Sequence, residues 1–200
     1  MGLSYSYEIY VPVQNVAKAL LEVTELAPST DRVAPLAVTM PGGERVVVPF
    51  TSNFKSEPVD CSAGGNLELD TSIMFGVDDA VRQFCEDPDP ETDELGRVEI
   101  GYVYLTVRFA PAPHPDFASL TFNAATSGMS RLFERSAGVR AVFTGLTAAI
   151  GGVCCLLDTE SDTSRIYWLN GQPVQDTVPG PSFADFPDLV AVWPGRSQQL

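Results

Sequence analysis

Two hydroxyls, a glycine and an arginine fall within five residues at Ser127, Gly128, Ser130 and Arg131, directly after Thr126. The chain there is predicted to pass from a strand into a helix. A helix N-terminus has backbone N–H groups with no partner inside the helix and carries partial positive charge. Such a turn suits a phosphate or carboxylate: Gly128 permits close approach, and Arg131 adds a charge-assisted hydrogen bond. The same residues also suit plain capping, with Ser127 as the cap.

Other chemistry-bearing residues are sparse. His114 is the single histidine, set between Pro113 and Pro115 in a polar loop. Any Ser-His-Asp or Cys-His arrangement must pass through it. Ser52-Asn53-Phe54-Lys55 matches the S-x-x-K pattern in form, but it follows strand residues rather than opening a helix, and its S-D-N and K-T-G companions are absent. Asp87, Asp89 and Glu91 alternate like calcium ligands. Counting from Asp87, the sixth and twelfth positions are Thr92 and Val98 instead of glycine and glutamate, and Asp158-x-Glu160-x-Asp162 fails likewise with Thr163 and Leu169. One histidine and four scattered cysteines give no metal-site spacing. No metal and no cofactor are expected. Asp60, Glu68 and Asp70 have the chemistry for acid–base work, yet nothing in their spacing brings them together.

Charge narrows the partners. Twelve Lys+Arg stand against 26 Asp+Glu, a net charge of −14. Such a field repels phosphate backbones and anionic membrane surfaces, so neither nucleic acid nor a membrane is an expected partner. The uncharged run from Ala141 to Leu157 is too short to span a bilayer and is broken by Gly151-Gly152; it reads as a buried helix followed by a buried strand. Residues 1–15 lack the basic and apolar regions of a signal peptide. The opening Met-Gly-Leu-Ser-Tyr-Ser fits a myristoylation pattern, but the residues from Tyr5 onward read as a strand entering the fold. Cys154 and Cys155 are adjacent, so on a strand they point to opposite faces. Reduced thiols and a cytoplasmic location are the expectation.

These residues must be positioned by short elements. Tyr5–Val13 alternates as a strand. Asn15 stands where a cap would, and Val16, Ala19, Leu20, Val23 and Leu26 follow at helical spacing. Pro41-Gly42-Gly43 joins two strands into a hairpin. A loop runs from Thr51 to Gly65, then a strand over 66–75, a short helix from Asp78-Asp79 to Cys85, and the acidic run Glu86–Glu94. Arg97–Phe109 is the longest strand signal and is expected at the centre of the sheet. Its partner over 118–126 precedes helices over 127–135 and 138–150 and a strand pair over 153–158 and 165–170. Hairpins dominate and strand–helix alternation is absent, which predicts an α+β fold: a mostly antiparallel sheet with helices on one face. Residues 1–170 form the expected domain, with similar lobes over 1–85 and 97–170 joined by the acidic loop. Residues 171–200 are proline-rich but carry Phe183, Phe186, Leu189, Val190, Val192 and Trp193. Such side chains are costly to leave in water, so this segment is expected to dock on its own domain or on a second copy.

With no catalytic constellation, the leading expectation is a non-catalytic binding or protein-interaction domain, with a homodimer as its working form. The alternative is a small enzyme acting on an anionic small molecule through the Thr126–Arg131 turn and nearby carboxylates.

Overall fold

Alternating apolar residues in Ser6–Pro12 build a strand, β1, that is almost wholly buried on both sides, which only a central strand tolerates. It lies between β7 (Phe117–Ala124) and β8 (Cys154–Asp158), antiparallel to both, with Tyr7 opposite Phe122 and Leu157. β6 (Arg97–Arg108), β5 (Asn66–Gly76), β9 (Thr163–Leu169) and β10 (Gln172–Pro179) complete a seven-stranded sheet in the order β10-β9-β8-β1-β7-β6-β5. A second sheet joins β2 (Leu36–Thr39) to β3 (Arg45–Val48) as a hairpin, with β4 (Val59–Asp60) parallel to β2. The computed structural model describes residues 2–29, 33–110 and 116–179. His114 and residues 180–200 lie outside them, and so does the expected docking of that last segment.

The α+β fold is as expected, with a large antiparallel sheet and four helices among the described residues: α1 (Val16–Thr24), α2 (Asp79–Cys85), α3 (Ser127–Arg135) and α4 (Ala137–Ala149). Their buried side chains meet Tyr7, Ile9, Leu120, Phe122 and Leu157 in one core on one face of the sheet. No helix there is long and apolar enough to cross a membrane; Ala141–Leu157 divides into α4 and β8. The longest strand is β6, but the centre belongs to β1, because β8 and β9 extend the sheet beyond it. The large sheet draws strands from both halves of the chain, and residues 172–179 form its edge strand rather than lying outside it.

Asn15 holds the N-cap position of α1 as expected, but its side chain makes no capping hydrogen bond. Its amide donates to the Ile150 carbonyl at 2.9 Å, tying α1 to the end of α4. Nearby, a Cβ on Gly152 would come within 2.6 Å of Thr147 Cγ2, so only glycine lets the chain leave α4 for β8 this tightly.

Asp78 anchors two helices with one carboxylate. Oδ1 caps α2 by accepting from Val81 N at 2.9 Å, and Oδ2 accepts from Ser136 Oγ at 2.7 Å and Gly138 N at 3.0 Å in the first turn of α4. Burial pushes its pKa up, but the bonds from Gly138, Val81, Ser136 and Ala80 prevail and hold it below the usual aspartate value. Asp78→Ala is expected to cost about 2–3 kcal/mol, combining a lost cap with stranded donors. Because the native carboxyl titrates below the unfolded one, this contribution is present above about pH 4 and fades as pH falls through the native value. Urea unfolding of both proteins at pH 7 and pH 3 checks this; the difference must shrink in acid.

The opposite sign holds at Glu8, on the sheet face away from the helices. Burial raises its pKa, against a hydrogen bond from Tyr10 and the charge of Arg108. The native state therefore holds this proton more tightly than the unfolded chain, and stability falls as pH rises from about 4.5 toward the native value. Glu8→Gln should raise the melting temperature by a few degrees at pH 8 and change it little at pH 4.

Candidate functional site

The turn at 126–131 does open a helix, but Thr126 is its cap, accepting from Met129 N at 3.1 Å. Ser127 is not the cap: its hydroxyl accepts from Leu3 N at 2.9 Å. Ser130 is fully buried; its Oγ accepts from Tyr5 N at 3.1 Å and lies within donating distance of the Leu3 and Thr126 carbonyls. Both serines thus fasten the N-terminal segment onto α3. Gly128 and Arg131 point elsewhere, into an open groove of about 720 Å³ between α2 and α3 that also holds Gln83, Phe84, Glu86 and Arg135. The four residues do not converge on one point. Asp60 and Asp70 are also apart in role: Asp60 caps its own loop at Ser62 N, while Asp70 belongs to a different arrangement.

That arrangement begins at Ser52-Asn53-Phe54-Lys55. Ser52 and Lys55 exchange both backbone hydrogen bonds, at 2.9 and 3.0 Å. The two residues between them have φ of 50° and 58°. This is a two-residue hairpin of the type that requires positive φ at both central positions, where Asn-Gly is the favoured pair. Asn53 fits. Phe54 stands where glycine is preferred, and a bulky side chain at positive φ costs on the order of 1–2 kcal/mol. Asp70 holds the turn in place: Oδ2 accepts from Phe54 N at 2.6 Å and from Thr51 Oγ1 at 2.9 Å.

The strained residue is not buried for its trouble. Phe54 is 64% exposed, and its ring meets those of Tyr102 (46% exposed) and Tyr104 (37%) edge-on at 5.7 and 6.4 Å. The tyrosines reach the same surface through a bulge. Ser72 faces Tyr102 while Met74 faces Glu99, so β6 carries one extra residue, and Gly101 has φ of 101° there. Inward positions shift from Val98 and Ile100 to Val103, Leu105 and Val107, leaving both tyrosines outward.

Acidic depressions flank this ridge. One lies between Phe54 and Tyr104 with Glu68 and Asp70. The other borders Tyr102 with Asp70, Ser72 and Glu99, and is floored by Ala27, Pro28, Pro49 and Phe50. An arginine side chain suits both, stacking on an aromatic face while its guanidinium meets a carboxylate. Among the described residues no cluster of three or more His, Cys, Asp or Glu is placed to hold a metal ion. No family model, no curated protein and no solved structure matches the chain.

Motif reading passed over Phe54, Tyr102 and Tyr104 because no catalytic pattern includes them. The available signal was Asn53, whose residue type favours positive φ, followed by an aromatic where glycine belongs.

Proposed function

We propose that this protein is a non-catalytic binding module that holds a basic, arginine-bearing protein partner on the Phe54–Tyr102–Tyr104 ridge. The observation that carries this reading is Phe54: a large aromatic kept exposed, in a backbone conformation it disfavours, by a buried carboxylate. Strain of this kind persists where function requires it, and exposed aromatics that become buried on association dominate interface energies. The flanking Glu68 and Asp70 and the net charge of −14 set the sign of the partner. They also oppose a homodimer through this face, since two such copies would repel. The four free thiols suit a reducing compartment, and the cytoplasm is the location we assign. The enzyme reading through Thr126–Arg131 draws less support, because the Ser127 and Ser130 hydroxyls are committed to Leu3 and Tyr5.

A titration followed by nuclear magnetic resonance tests the reading, using a short peptide of alternating arginine and glycine. Shifts are expected to concentrate at Phe54, Tyr102, Tyr104 and Glu68 and to disappear in Phe54→Gly. Shifts spread over the whole acidic surface, and equal in both proteins, would reduce the effect to bulk electrostatics.

A further inference from the structure

The sheet has a second apolar face. Tyr10, Phe117, Val153, Cys154, Leu156 and Ile166 form a buried cluster opposite the helices, with Leu169, Val174 and Val178 against its edge. Every one of these residues lies in a strand or directly beside one, and among the described residues no helix residue belongs to the cluster. Two further residues of this face, Ser119 and Ser164, are almost fully buried. Among the described residues the Ser119, Thr121 and Ser164 hydroxyls find no hydrogen-bond partner. A sheet face this apolar needs a cover, and the unused hydroxyls suit extended chain, whose backbone brings its own polar groups.

We infer that residues 180–200 of the same chain pack across this face, over β8, β1 and β7. Three observations point to that occupant. The last described residues, in β10, pair with β9 at the edge of this sheet, and Val178 of β10 already packs against the cluster. The distance is short: β7 lies four strands from β10 in the sheet order, roughly 19 Å at about 4.8 Å per strand, whereas 21 residues reach roughly 70 Å when extended. The composition fits as well, since Phe183, Phe186, Leu189, Val190, Val192 and Trp193 supply apolar cover, and Pro181, Pro187 and Pro194 disfavour a helix.

Two adjacent cysteines supply the test. Cys154 belongs to this second cluster and Cys155 to the helix-side core, so one thiol reports on the tail and its neighbour on the fold. Iodoacetamide labelling, read residue by residue by tandem mass spectrometry, compares the full chain with residues 1–179. Cys154 is expected to react at least tenfold faster in the shortened protein while Cys155 stays slow in both, and added 180–200 peptide should restore protection. Equal Cys154 rates in the two proteins overturn the inference. Should Cys155 also become reactive in 1–179, the full-length F186D/W193D variant gives the same comparison, and there too unchanged Cys154 protection overturns it. Protection that grows with protein concentration, alongside dimers in sedimentation, would assign the cover to a second copy's tail and refute docking within one chain.

Discussion

Phe143→Ala is expected to destabilise the protein by about 3–5 kcal/mol, a large part of the 5–15 kcal/mol that holds a typical domain folded. Phe143 is fully buried on α4, where that helix lies on the sheet. Its ring stacks on Tyr7 at 4.4 Å and meets Phe122 at 5.0 Å, Phe133 at 5.6 Å and Phe75 at 5.9 Å. Those partners come from β1, β7, α3 and β5, so removing one ring opens a cavity that four elements would have to close together. Tyr7 is further fixed by its hydroxyl, which donates to the Phe133 carbonyl at 3.1 Å, and so cannot swing in to fill the gap. Guanidinium unfolding at pH 7 measures the loss; a change under 1 kcal/mol would mean that the core repacks around the site.

Phe54→Gly should behave in the reverse manner, sparing stability and removing function. Glycine relieves the positive-φ cost at this position but gives up the edge-on contacts with Tyr102 and Tyr104, each aromatic pair being worth about 0.5–1.5 kcal/mol. The two effects nearly cancel, so stability should change by less than about 1 kcal/mol. Binding of a basic partner should weaken by 2 kcal/mol or more, about 30-fold, as for an interface anchor. Asp70→Asn, which keeps an acceptor for Phe54 N but removes the charge, should cost less affinity, and the remaining binding should depend less on salt.

Much of the fold is legible in the sequence because its elements are strongly patterned. The hydrophobic spacing of Val16–Val23, the alternation in β1 and the β-branched, aromatic run of β6 all carry their periods openly. The short helix beginning at Asp78-Asp79 and the Ser127–Arg135 helix are also found where expected, although the latter is capped by Thr126 rather than Ser127. What stays hidden depends on contacts distant in sequence. Asn15 looks like a cap, but its amide is drawn to Ile150, 135 residues away. β4 is two residues long and exists only because β2 lies beside it.

The candidate site is hidden for a sharper reason. Continuing inward from Val98 and Ile100 at period two places Tyr102 and Tyr104 in the core; the bulge at Gly101 reverses that parity and brings them out. Phe54 likewise reads as ordinary loop hydrophobicity until the backbone places it at positive φ. The serines near Arg131 show the converse: residue types suited to an anion are used instead to hold a neighbouring segment.

The most direct test of the binding account is site-specific photo-crosslinking in the cells that make the protein. A benzophenone amino acid replaces Phe54 in one version and Leu95, equally accessible but outside the ridge, in another. One discrete adduct is expected from position 54, absent from position 95, lost on Tyr102→Ala/Tyr104→Ala, and containing a protein whose crosslinked segment is rich in arginine. No adduct at position 54, or the same set of adducts from both positions, would contradict the binding account.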